Sequence, residues 1–259
     1  MSAFRPVILV PHYHHLEQFT AYLPSLLATG TPLLVVDDGS GEATVRQLRA
    51  LADAEGFTLV CRDHNGGKGE AMLTGFAAAD DAGYTHALQV DADGQHDPED
   101  IPRFLACAQA RPGTLVCGAP VFGDDAPWVR VWGRKLTDAM VALETWSTGV
   151  RDSLCGFRVY PLKKTLAVID DHRPGARMDF DAELLVALRW AGMPLHFLPT
   201  KVRYPEQGVS HFRYVADNAR MVGLHVRLML RMLLRSPILL ADRIGGRFGP
   251  VTAERTDGR

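Results

Sequence analysis

Short apolar runs alternate with helical periodicities along the first half of the chain. Val7-Ile8-Leu9-Val10, Pro32 to Val36, Phe57 to Cys61, Thr85 to Val90 and Thr114 to Cys117 each read as a strand. Their hydrophobicity is nearly continuous rather than alternating, which marks strands covered on both faces. Between the first two runs, Leu16, Phe19, Leu23 and Leu27 recur at helical spacing over residues 16–28. Residues 42–55 place Val45, Leu48, Leu51 and Ala52 on one face, and 69–83 reads as another helix. This alternation predicts an α/β fold with a mostly parallel sheet and helices on both faces. The second half is less regular. It predicts helices over roughly 127–147 and over 180–191, an extended strand from Leu195 to Tyr204, and a helix over 214–235. No internal repeat or low-complexity linker is evident. Ligands of such sheets sit outside the carboxyl ends of the strands. Chemistry is therefore expected at four strand-to-helix junctions: Pro11–His15, Asp37–Gly41, His64–Gly69 and Asp91–His96.

A chain of 259 residues suits one large domain, or one domain with an appendage. The net charge of −2 gives no signal for nucleic acid. Charge is uneven, however. Residues 214–259 carry eight arginines and four acids on an otherwise acidic body. A basic extension of this kind is expected to meet something anionic. The four cysteines form no C-x-x-C pair and read as reduced thiols. The apolar run near Met1 is too short for a signal-peptide core, and no stretch of about 20 apolar residues suits a membrane span. The expected location is the cytoplasm, with a peripheral site on the inner face of the cytoplasmic membrane.

Three junctions carry candidate chemistry. Asp91-Ala92-Asp93-Gly94-Gln95-His96 places two carboxylates one residue apart at a strand end. Hard oxygen ligands of this kind can share Mg²⁺ or Mn²⁺, and such an ion can neutralise a diphosphate leaving group. The same residues also suit an acidic turn that caps the next helix. Val35-Val36-Asp37-Asp38-Gly39-Ser40 offers a carboxylate to a base or ribose, or an N-cap for the following helix. Asn65-Gly66-Gly67-Lys68-Gly69 allows close backbone approach and a lysine within reach of a phosphate. It lacks the ending of a Walker A loop, and a plain turn also explains it. His12, His14 and His15 have a spacing that transition metals use, but a loop is the preferred reading.

Taken in order, VVDDGS, HNGGKGEA and VDADGQHDPED resemble the family 2 glycosyltransferases of GT-A fold. The branch most resembled contains the dolichyl-phosphate and polyprenyl-phosphate sugar transferases. The resemblance covers about residues 6–213 and is tightest over 33–102. It implies that Asp37 and Asp38 face the nucleoside together with Pro11 and Tyr13. It implies that Lys68 lies near the donor, and that Asp91, Asp93 and Gln95 hold Mg or Mn. Asp152-Ser153-Leu154-Cys155-Gly156-Phe157-Arg158 resembles the family's acceptor-side D-x-x-x-G-F-R segment. Phe180-Asp181-Ala182-Glu183-Leu184 resembles its F-D-x-E-L segment. Gly208-Val209-Ser210-His211-Phe212-Arg213 resembles a segment near the donor phosphates, which implicates Ser210, His211 and Arg213. Three departures stand out: Pro11-His12-Tyr13-His14-His15 replaces P-x-Y-N-E, Cys155 replaces a common serine, and His211 replaces a common lysine.

The resemblance implies a single inverting displacement on a UDP- or GDP-sugar with a lipid or lipid-phosphate acceptor. A phosphate acceptor needs no base. A hydroxyl acceptor needs a carboxylate, for which Asp152 ranks ahead of Asp179 and Asp181, and Arg158 stands in the same segment. The expected division is a catalytic domain over 1–213, a basic amphipathic helix over 214–243 and a mobile tail over 244–259. Arg220, Arg227, Arg231 and Arg235 share one stripe of that helix and are expected to meet anionic headgroups. A docked helix with a solvated face, or a dimer contact, has the same pattern. The alternatives are a soluble acceptor, a nucleotidyltransferase and a non-catalytic nucleotide binder.

Overall fold

The computed structural model describes residues 3–121, 128–202 and 214–254. The strands are β1 (Pro6–His12), β2 (Leu33–Asp37), β3 (Thr58–Cys61), β4 (His86–Gln89), β5 (Leu115–Val121), β6 (Arg158–Pro161), β7 (Leu195–Lys201) and β8 (Val251–Ala253). The helices are α1 (Leu16–Leu27), α2 (Glu42–Glu55), α3 (Lys68–Asp81), α4 (Ile101–Ala110), α5 (Trp128–Glu144), α6 (Leu162–His172), α7 (Phe180–Trp190) and α8 (Tyr214–Ile244). They build one sheet in the order β3-β2-β1-β4-β6-β5-β7-β8. Every pairing is parallel except those of β6, which runs antiparallel to both β4 and β5. The expected α/β sheet is therefore present.

Alternate residues of β1 show why the strand is apolar throughout. Val7 and Leu9 join one core layer with Met72 and Phe76 of α3. Ile8 and Val10 join the other with Phe19 and Leu23 of α1. All eleven residues of α7 are buried, and it packs against α3, α5, α6 and α8. A helix enclosed all round must find a partner for each polar side chain.

Two features of the C-terminal residues add to the sequence pattern. Within the tail expected to be mobile, Val251–Ala253 pair in parallel with Leu195–Phe197 as an edge strand; three residues are too few to register as an apolar run. The arginine stripe of α8 is not laid out to solvent alone. Arg227 and Arg231 pair with Glu183 at 2.7 and 3.5 Å, and Arg235 lies over the Trp190 ring. The helix has apolar residues on two sides. Leu224, Leu228, Met232 and Leu239 are buried against the domain, whereas Val222, Val226, Leu230, Leu233, Leu234 and Ile238 are exposed. Trp132, Leu136 and Leu143 of the neighbouring α5 are exposed as well. Among the described residues no helix is long and apolar enough to cross a membrane.

Candidate functional site

The carboxyl ends of β1, β2 and β4 face the start of α3, and the predicted junctions meet there. The register sets His12 beside Asp37. Their side chains bond, His12 Nδ1 to Asp37 Oδ1, at 2.8 Å. Asp37 Oδ2 also accepts from the Ser40 N–H at 3.0 Å. Burial would raise the Asp37 pKa, but the bonds from His12 and Ser40 outweigh it and hold the carboxyl below its usual range. Tyr13 lies beside the His14 ring, 4.2 Å between centroids. His12 thus serves Asp37 from the end of β1, and among the described residues no group of three or more His, Cys, Asp or Glu is placed to hold a metal ion.

Asp38 is a clamp. Its carboxylate accepts from Arg62 Nε, Asn65 Nδ2 and the N–H groups of Gly66 and Gly67, at 2.7 to 3.1 Å. It ties the end of β2 to the glycine-rich loop through these four donors. Gly39 makes the approach possible. Its φ is +74°, and a Cβ there would lie 2.7 Å from the backbone of His64 and Asn65.

Lys68, the first residue of α3, holds the centre. Its Nζ lies 2.8 Å from Asp91 Oδ1 and 2.8 Å from Asp181 Oδ2. Burial works against its charge, but Asp181 and Asp91 outweigh it and hold the ammonium above its usual range. For Asp91 too, burial opposes the charge and Lys68 prevails, keeping its pKa low. Gln89 donates to Asp181 Oδ1 at 3.1 Å and accepts from the Tyr160 hydroxyl at 3.1 Å. Asp181 thus joins the cluster from α7. The sequence placed neither Gln89 nor Tyr160 in the site, although a glutamine inside a buried strand was a visible signal.

Asp93 faces the same end of β4. Burial, then the charge of Asp91, push its carboxyl up to about 6. Its Oδ1 accepts from the Gln95 N–H at 3.0 Å. Two neighbouring carboxylates that repel each other, Asp91 and Asp93, could share a divalent cation. Among the described residues no group of three or more His, Cys, Asp or Glu side chains forms a complete cage. A hard cation with few protein ligands completes its shell with water and substrate phosphates.

The D-x-x-x-G-F-R segment closes the site from β6. A Cβ on Gly156 would lie 2.6 Å from Asp91 Oδ2 and 2.8 Å from Lys68 Nζ. Arg158 is fully buried and donates to the carbonyls of Asp181 and Ser153, both at 2.7 Å. It anchors the start of α7 and does not reach into open space. Asp152 is 2% exposed. Its Oδ2 accepts from Arg134 at 2.6 Å, and its Oδ1 from the N–H groups of Leu154 and Cys155. Asp138, which the sequence did not single out, bonds Ser153; burial and the nearby Asp152 push it up to about 6. Pro11 lies in β1 opposite Val36. Ser210, His211 and Arg213 lie outside the described residues.

Residues 7–172 match the family model described as glycosyl transferase family 2. More than half of the chain is covered, and the chain belongs to that family. It is 28% identical over 163 residues to polyprenol monophosphomannose synthase of Mycolicibacterium smegmatis, over 60% of this chain and 61% of that one. The chain thus aligns with about three fifths of that relative's length. Solved structures share the fold. Glucosyl-3-phosphoglycerate synthase of Mycobacterium tuberculosis, in complex with UDP, matches with a TM-score of 0.62 at 18% identity, covering 89% of this chain and 80% of that one. A mannosyltransferase of Pyrobaculum calidifontis, in complex with GDP-Man and Mn²⁺, matches with a TM-score of 0.59 at 17% identity, covering 93% and 70%.

Proposed function

We propose that this chain is a metal-assisted, inverting glycosyltransferase that moves a sugar from a UDP- or GDP-sugar to a polyprenyl-phosphate-type lipid at the cytosolic membrane face. The observation that carries the reading is the cluster of Lys68, Asp91 and Asp181 beside Asp93, at the carboxyl ends of the strands where α/β proteins bind ligands. In this reading Pro11, Tyr13 and Asp37 form the nucleoside end. Lys68 lies by the diphosphate. Ser210, His211 and Arg213 are assigned to the donor phosphates by the sequence pattern alone. Asp91, Asp93 and Gln95 would hold Mg²⁺ or Mn²⁺, which would neutralise charge on the departing diphosphate.

An acceptor phosphate oxygen attacks the anomeric carbon, its bond to the diphosphate oxygen breaks, and the nucleoside diphosphate leaves with the electron pair. No proton has to move. That suits the carboxylates present. Asp152 is buried and bonded through both oxygens, and Asp181 is held by Lys68 and Gln89. Neither is placed as a free base, so Asp152, Asp181 and Arg158 are assigned to positioning rather than to proton transfer. The exposed apolar residues of α5 and α8 supply the lipid-facing surface.

Incubation of the protein with labelled UDP- and GDP-sugars, Mg²⁺ or Mn²⁺ and a polar lipid extract tests the reading. Label is expected in the organic phase for one donor, and to be lost in Asp93→Ala. Nucleoside diphosphate release without organic label would move the acceptor to a soluble molecule. No turnover with any donor would contradict the assignment.

A further inference from the structure

We infer that Glu183 is a positioning residue through which the docking of α8 sets the placement of Lys68. The inference rests on the proposed function only in naming Lys68 as part of the transfer site. The contacts form one chain. Arg227 of α8 donates to Glu183 Oε2 at 2.7 Å, and Arg231 approaches Oε1 at 3.5 Å. Glu183 is 3% exposed, although both arginines are half open to solvent. Glu183 Oε2 also accepts from the Gly175 N–H at 2.8 Å. The next carbonyl, that of Ala176, accepts from the N–H groups of Gly69 and Glu70 at 2.8 and 3.4 Å. Those amides belong to the first turn of α3, where no partner exists within the helix. Lys68 starts that turn and reaches Asp91 and Asp181.

Each link has a physical reason to be stiff. A buried carboxylate is retained only where its charge is met, so Glu183 holds its place while the arginines of α8 are docked. A carbonyl shared by two first-turn amides fixes where α3 begins. Asp181 lies two residues before Glu183 on the same buried helix, so the relay bears on the start of α3 and on one of the two carboxylates that hold Lys68. Release of α8 would leave Glu183 buried without its cations. The 173–179 loop would then lose the bond that orients the Ala176 carbonyl. The same α8 exposes the apolar row Val222, Val226, Leu230 and Leu234, so whatever surface holds that row also bears on Lys68.

Amide hydrogen exchange and steady-state kinetics on the full chain test this with the Arg227→Ala/Arg231→Ala variant, which leaves every residue of the site in place. Exchange at Gly69 and Glu70 is expected to quicken about tenfold or more, with the amides of β2 unchanged. With the lipid acceptor present, kcat is expected to fall about tenfold while KM for the nucleotide sugar stays within about twofold. Glu183→Ala should repeat both results if it folds. Unchanged exchange at Gly69 and Glu70, or equal quickening throughout the molecule, overturns the relay. If the wild type transfers no sugar, the proposed function fails, and the exchange measurement still decides the relay.

Discussion

Replacing Gly156 with alanine is expected to lower sugar turnover about a hundredfold while leaving the fold nearly as stable as before. A Cβ at this position would lie 2.6 Å from Asp91 Oδ2, 2.8 Å from Lys68 Nζ and 2.9 Å from Asp91 Oδ1. All three atoms are the ends of side chains rather than backbone. They can move aside, so the cost in stability stays below about 1 kcal/mol. What moves, however, is the pair on which the site is centred. Turnover and urea denaturation measured on the same preparation separate the two effects. A variant with wild-type turnover would show that the spacing of Lys68 and Asp91 does not matter to transfer.

Replacing Lys68 with methionine should instead strike stability and activity together. Methionine keeps most of the side-chain volume and removes only the charge. Asp91 and Asp181 then face each other without a cation. Removing one partner of a fully buried pair costs about 3–5 kcal/mol; Asp91 is 27% exposed, so about 2–3 kcal/mol is expected here. Chemical denaturation reads it. Adding Asp181→Asn should recover part of the loss, because it removes one of the two stranded charges. A single variant within about 0.5 kcal/mol of wild type would contradict the account of this cluster.

Much of the fold could be read from the sequence, and particular residues show where that stopped. The continuous runs of β1 and β2 gave their own burial, because both faces of each strand meet helices. The four residues of β6, Arg158–Pro161, begin with an arginine and end with a proline, and no local rule marks them as a central strand. Their antiparallel place between β4 and β5 is set by tertiary packing. In the site, the Asp91 and Asp93 junction stood out because chemistry and sequence are adjacent there. Asp37 and Asp38 looked equivalent, yet one bonds His12 and Ser40 while the other holds the glycine-rich loop. Neighbouring carboxylates point in different directions, and a motif does not record direction.

The helix α8 shows the same limit at larger scale. Periodicity placed the arginines on one stripe, and they do share one. It did not say that Glu183, a distant residue on another helix, is buried where the stripe meets the domain. Nor could it tell which of two apolar sides would be covered. Gln89, Tyr160 and Asp138 were missed for a similar reason, since each takes its importance from partners far away in sequence.

The most direct measurement compares two acceptors that differ only in one group. Purified protein, the preferred nucleotide sugar and a divalent cation are given either a polyprenyl phosphate or the matching polyprenol, each in phospholipid vesicles. With the candidate carboxylates already bonded, transfer is expected to the phosphate and at least about a hundredfold slower to the alcohol, which needs a base. Equal transfer to both, or transfer to the alcohol alone, would contradict a phosphate acceptor and would require a base that these residues do not supply.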